Sequence, residues 1–260
     1  MNALALALME RAPVIMLVSL RVGLVLSLMP APFGDVAPVR IRAALGFLLS
    51  MTLCIAAFPQ FPALGYDAAA LIQGLTTELV IGAVMGLTVR VTLAASEIAG
   101  TVAGHAIGLG FASSIDPTFG DEGVPTTTLL NGLSVITFFS VGGHYLVFQA
   151  LLASLAVAPP GLCLPALHST EIIAIGGRMV AQGLRIASPV VATMFIVQIG
   201  TALVARSAPR VQIFALSFGI TLSVGSLILI AAAPQFARSI TASLGPLLPT
   251  LIGVLHGGGP

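Results

Sequence analysis

Charge is what this sequence has least of. Only 7% of its 260 residues are Asp, Glu, Lys or Arg, where a soluble domain carries about 25%. With 57% hydrophobic residues and a mean hydropathy of +1.10, the chain cannot cover itself with groups that water solvates. That excludes a soluble globular domain. Lysine is absent altogether. All ten basic residues are arginines and the formal net charge is +1, so no basic patch or tail exists for nucleic acid. Cysteine is nearly absent: Cys54 lies in an apolar run and Cys163 in a proline-flanked loop, which suits neither a CxxC redox site nor a zinc site. Catalytic signatures are missing too, with no HExxH, GxSG, Walker lysine or GxGxxG. His105, His144, His168 and His256 have no short metal-ligand spacing. His105, Ser113, Ser114 and Asp116 are neighbours in sequence, and nothing orients a base toward a nucleophile. No enzyme activity, cofactor or metal is expected.

What is present is apolar sequence, in runs at about 12–29, 39–58, 68–107, 126–157, 172–204 and 211–232, with a milder stretch at 235–256. Runs of about 20 residues read as helical spans of a membrane and not as a barrel. The expected fold is an all-α integral membrane protein of about six long apolar helices with helical hairpins, in a single domain over 1–260. Prolines and glycines punctuate the runs, as in "FPQFPALGYD", "APPGLCLP" and "RSAPR". The first thirty residues do not read as a cleaved signal, because Glu10 precedes Arg11 and Arg21 interrupts the apolar core. Runs 126–157 and 172–204 would each extend roughly 50 Å as straight helices, against a hydrocarbon core of roughly 30 Å. Tilt, a break at Pro189, or projection beyond the bilayer under the shelter of other subunits would each account for this. Arginines near the span ends put the N-terminus outside and the "RSAPR" loop in the cytoplasm.

Among the ionisable residues inside the runs are Arg21, Glu78, Arg90 and Glu97. Such groups are costly in a membrane and face a bundle interior or a watery cavity. Arg90 and Glu97 share a helix face but stand roughly 10 Å apart along it, so each needs a partner elsewhere or serves as a structural clip. Gly82 and Gly86, then Gly100 and Gly104, are small-xxx-small spacings that let helix backbones approach closely. After Gly108 the pattern breaks down into "GFASSIDPTFGDEGVP". Irregular backbone at membrane depth is tolerated only when packed in protein or lining a cavity.

Four stretches carry a resemblance to a known family. They are "LRVGLVLSLMPAPFGDVAPVRIRAALG", "SEIAGTVAGHAIGLGFASSIDPTFG", "FFSVGGHYLVFQALLASLAVAPPG" and "LVARSAPRVQIFALSFGITLSVG", in order over residues 17 to 225. The chain resembles the FliR/SctT family of export-gate membrane proteins. The "GGH" step and short tail resemble the flagellar branch more than the injectisome branch. The resemblance implies a non-enzymatic subunit of the type III protein-export gate. Such a subunit would join FliP-like and FliQ-like chains, and FlhB-like and FlhA-like components, in a hetero-oligomeric helical channel for unfolded flagellar proteins. It implies a multi-pass protein of the bacterial inner membrane and flagellar basal body, in contact with lipid, with the assembly raised above the ordinary membrane plane. It also implies a FliP-like part over about 1–170 and a FliQ-like hairpin over about 171–256.

By the same resemblance, the segment at about 108–123 matches the loop that plugs the closed pore. Phe111 and Ile115 would exclude water, Gly108 and Gly110 would supply bends, and Asp116 and Pro117 would lie at its edge. A plain exposed loop is the alternative for that segment. One departure stands out. The family has asparagine–arginine before its Ala-Pro turn and glutamine after it, where this chain has Ala205-Arg206, Pro209 and Arg210. Two other readings compete with the flagellar one: an injectisome export-gate subunit, and a small-solute secondary transporter with Arg21, Glu78, Arg90 and Glu97 at a midplane site.

Overall fold

The structure, a computed structural model, describes residues 3–29, 38–56, 68–110, 124–161, 169–207, 213–246 and 249–251. These form seven helices of fifteen residues or more: α1 (Ala3–Leu28), α2 (Val39–Ala56), α3 (Ala68–Ile107), α4 (Pro125–Ser140), α5 (Gly143–Val157), α6 (Ser169–Ser207) and α7 (Ile213–Leu244). No strand occurs among the described residues. Three of these helices, α3, α6 and α7, are long and apolar enough to cross a membrane; α4 and α5 together make a fourth candidate span if taken as one broken helix. Over its apolar part, Ala12–Leu28, α1 is shorter.

Local chemistry explains where helices stop and where they do not. The apolar run at 126–157 divides at Val141–Gly142, where Gly142 takes φ +78°. That left-handed conformation costs little only for glycine, and it ends α4. Pro189 does not end α6, which runs unbroken for 39 residues. A proline leaves the carbonyl four residues back without its N–H partner. Here that carbonyl belongs to Arg185, and the Ser188 hydroxyl donates to it at 2.8 Å. With the freed acceptor satisfied from a neighbouring side chain, the helix passes through the proline.

The chain divides into two compact units. One comprises Met1–Thr92, Gly142–Ile175 and Leu244–Pro260; the other comprises Leu93–Val141 and Gly176–Ser243. In the first unit α1 packs on α2 and on the opening half of α3, burying Leu17, Val22, Val25, Ile81 and Met85, and Leu151 of α5 is buried in the same unit. A Ser19–Ser50 hydroxyl bond of 2.8 Å ties α1 to α2. Gly82 and Gly86 sit where α3 meets α1. A Cβ at Gly82 would stand 3.1 Å from the Arg21 carbonyl oxygen, and one at Gly86 only 2.9 Å from the Leu28 Cβ. In a membrane, where burial from lipid yields little, such close backbone contact is a main source of helix association.

The second unit has its own core: Ala99, Ala103 and Ile107 of α3, Leu130 of α4, Ile186, Ala187, Val190 and Met194 of α6, and Phe236 of α7. Gly183 of α6 lies against the Ala95 carbonyl and Ile98, and Gly225 of α7 against Ile107. The α6–α7 register is fixed by the Gln182 amide, which donates to the Ser239 carbonyl at 3.2 Å.

Candidate functional site

Arg21 is wholly buried on a helix face otherwise made of Leu17, Val18, Val22 and Val25. A guanidinium placed there must be neutralised and hydrogen-bonded, or the helix would not pack. Glu78 of α3, equally buried, supplies the counter-charge. Arg21 Nε donates to Glu78 Oε2 at 2.5 Å and Nη2 to Oε1 at 2.8 Å. This is the two-pronged geometry that makes arginine–carboxylate pairs the strong ones.

The third partner comes from α5. Arg21 Nη1 donates to Ser154 Oγ at 3.0 Å, while that hydroxyl spends its own proton on the Leu151 carbonyl at 2.7 Å. Arg21 Nη2 also reaches the Ala158 carbonyl at 2.8 Å. Ala158 is the residue that closes α5, and Pro159 and Pro160 follow it with no N–H to offer the last turn. A cation at a helix C-terminus satisfies those orphan carbonyls and complements the helix dipole. One side chain therefore clamps α1, α3 and the end of α5. Chemically, the arrangement holds: the carboxylate is occupied at both oxygens.

The other ionisable residues of the runs are disposed differently. Arg90 and Glu97 are both exposed on α3. Arg206 is exposed in the last turn of α6, while Pro209 and Arg210 lie outside the described residues. Among the described residues no group of His, Cys, Asp and Glu is arranged to hold a metal ion.

A second feature is the base of the segment at 108–123. Helix α3 stops at Ile107 because Gly108 turns left-handed at φ +93°, with Leu109 N–H returning to the Gly104 carbonyl at 2.9 Å. Helix α4 starts at Pro125 beside the same turn of α3. Thr126 Oγ1 donates to the Gly100 carbonyl at 2.7 Å, and a side chain at Gly104 would collide with Thr126 and Val124. Gly100 and Gly104 thus bring the two ends of the segment within about one helical turn of each other. Gly110 lies beside the His105 ring. Phe111, Ile115, Asp116 and Pro117 lie outside the described residues. Sequence alone did not single out Ser154, Ala158, Val124 or Thr126. A serine in an apolar helix is unremarkable and a backbone carbonyl leaves no mark, although the Pro159-Pro160 pair does flag a helix end with orphan acceptors.

Residues 12–246 match the family described as bacterial export proteins, family 1. The chain is 28% identical over 217 residues to the flagellar biosynthetic protein FliR of Pectobacterium carotovorum, covering 82% of each chain. It is 30% identical to the FliR protein of Caulobacter vibrioides, over 82% of this chain and 85% of that one. A third relative is the Yop proteins translocation protein T of Yersinia pestis, 28% identical over 71% of this chain and 72% of that one.

Proposed function

The chain belongs to the bacterial export proteins, family 1, and from that membership we propose that it is a non-enzymatic membrane subunit of a type III protein-export gate. The observation that carries this reading is the match across 12–246, which takes in every helix from α2 to α7. The flagellar form is favoured over the injectisome form. FliR proteins of several bacteria are among the relatives, and the "GGH" step sits where Gly142 and Gly143 end α4 and begin α5. Helices α6 and α7 would form the FliQ-like hairpin. They expose Ile196, Ile199, Leu203, Leu227 and Ile230, far more apolar surface than a chain covers alone in water. FliP-like and FliQ-like neighbours would cover part of it inside the inner membrane and basal body.

The direct test is genetic and biochemical together. Expressed in a motile bacterium lacking its own FliR, the chain should restore swimming and co-purify with that bacterium's FliP- and FliQ-like chains. A stable lone monomer in detergent that restores nothing would overturn the proposal.

We further assign the segment at about 108–123 as the plug. Its support is the base: α3–α4 packing at Gly100 and Gly104 holds the two ends of the segment about one helical turn apart. Deleting residues 111–116 should leave assembly of the complex intact and raise ion leak through membranes that contain it. Asp116→Ala should raise leak less, since a hydrated acid does not exclude water. An assembled deletion complex as tight as wild type would make the segment an ordinary loop.

A further inference from the structure

Helix α6 is 39 residues long, roughly twice what a bilayer needs. Its charges are unevenly spread. Between Arg185 and Arg206 the twenty residues carry no charge, and the two arginines are separated by roughly 30 Å of helix, the thickness of the hydrocarbon core. Both arginines are exposed. On α7, residues 213–237 are uncharged and the next residue is the exposed Arg238. The Gln182–Ser239 bond places Arg238 at the level of Arg185. The Gly183 contact with Ala95 and Ile98 brings α3 to that level too, where its one charged residue is the exposed Glu97. Three helices of this unit therefore each carry one exposed charge at about the same level: Glu97, Arg185 and Arg238. That is how a membrane–water interface marks a protein.

A groove of about 370 Å³ descends from this layer, lined by Val102, Leu184, Ser188, Val191, Ala192 and Phe195. Its single hydroxyl, on Ser188, is committed to the Arg185 carbonyl, so the groove offers only apolar contact to an occupant. Arg185 does not itself line the groove, but it follows Leu184 on α6 and shares a helical stripe with Ser188 and Ala192, three and seven residues on, which puts it beside the Leu184 end. Glu97 is offset from Val102 by about 140° around α3 and is not among the residues that line the groove. The Leu184 end is thus positive and the groove greasy.

We propose that this is a binding site for one anionic phospholipid, with its phosphate on Arg185 and an acyl chain along the groove. A guanidinium matches a phosphate in charge and in forked geometry. The same register leaves residues 169–184 of α6 projecting beyond the hydrocarbon, which disposes of the excess length. The site does not depend on the export proposal, since it follows from the layer of charge alone.

The test is native mass spectrometry of the chain purified in its complex, challenged with phosphatidylglycerol and, separately, phosphatidylcholine. Wild type should retain phosphatidylglycerol selectively. Arg185→Gln should lower that retention about five-fold, the loss expected for one arginine at an anionic surface. Arg185→Lys should keep most of it. Ala192→Trp, which fills the groove and leaves the charge, should also lower retention, and Arg40→Gln on the other unit should not. Equal retention by Arg185→Gln, equal retention of phosphatidylcholine, or a photo-crosslinker at Ser188 that captures protein and no lipid would overturn the site.

Discussion

Glu78→Ala should nearly abolish recovery of the assembled protein. The substitution leaves the Arg21 guanidinium buried with Ser154 and the Ala158 carbonyl but without its counter-charge. Removing one partner of a buried ion pair costs about 3–5 kcal/mol, against a total stability of roughly 5–15 kcal/mol for an ordinary domain. Arg21→Leu should be nearly as damaging, because it strands the carboxylate instead. The double variant Arg21→Leu, Glu78→Leu should be milder than either single one. Both charges are then gone, and what is left is the Ala158 carbonyl, a loss of about 1–3 kcal/mol. Ser154 keeps its bond to the Leu151 carbonyl throughout. Yield of the purified complex and its midpoint of thermal unfolding, measured across the four-member cycle, give the coupling directly. Single variants as stable as wild type, or a double variant worse than the two losses added, would show that the clamp does not hold these helices together.

The second large effect is expected at Gly100. A Cβ there would stand 2.5 Å from the Thr127 Cα, 2.8 Å from the Thr126 carbonyl oxygen and 2.9 Å from the Thr127 nitrogen. These are backbone atoms, which no rotamer change can move aside, so Gly100→Ala must push α4 away from α3. The displacement would also stretch the Thr126–Gly100 hydrogen bond. Overpacking of this kind costs about 1–3 kcal/mol and can exceed that. Gly104→Ala meets the Thr126 and Val124 side chains instead and should be less damaging, while Gly104→Leu should be worse than its alanine counterpart. Gly132 on α4 has nothing within 4 Å of an added Cβ, so Gly132→Ala should be neutral or slightly stabilising through helix propensity. The readout is complex recovery together with leak, because Gly100 and Gly104 form the base of the segment at 108–123. Equal recovery from Gly100→Ala and Gly132→Ala would remove the close-packing argument.

Part of this was plain in the residues. Seven per cent charge with 57% hydrophobic residues admits a membrane protein and little else, since the cost of exposing such a chain to water is set by composition and not by fold. In lipid the backbone must satisfy its own hydrogen bonds, so runs of this length become helices. Arg21 and Glu78 stand out for the same reason, as ionised groups where solvation is absent. Gly82, Gly86, Gly100 and Gly104 stand out by spacing.

Tertiary structure alone decided which groups meet. Arg21 and Glu78 are 57 residues apart, and helical periodicity fixes the face of each residue but not the helix opposite. Arg90 and Glu97 look equally costly in sequence, yet both emerge exposed, because burial depends on what a neighbouring helix covers. The long run at 126–157 reads as one helix until the backbone at Gly142 turns left-handed, a choice between two conformations that glycine permits almost equally. Pro189 looks like a break, and the Ser188 hydroxyl carries the helix past it. Sequence determined that the chain is helical and belongs in lipid, because those follow from solvation and local geometry. The clamp at Arg21, the base of the 108–123 segment and the level of charge at Arg185 depend on contacts between helices distant in sequence, and only the fold sets those.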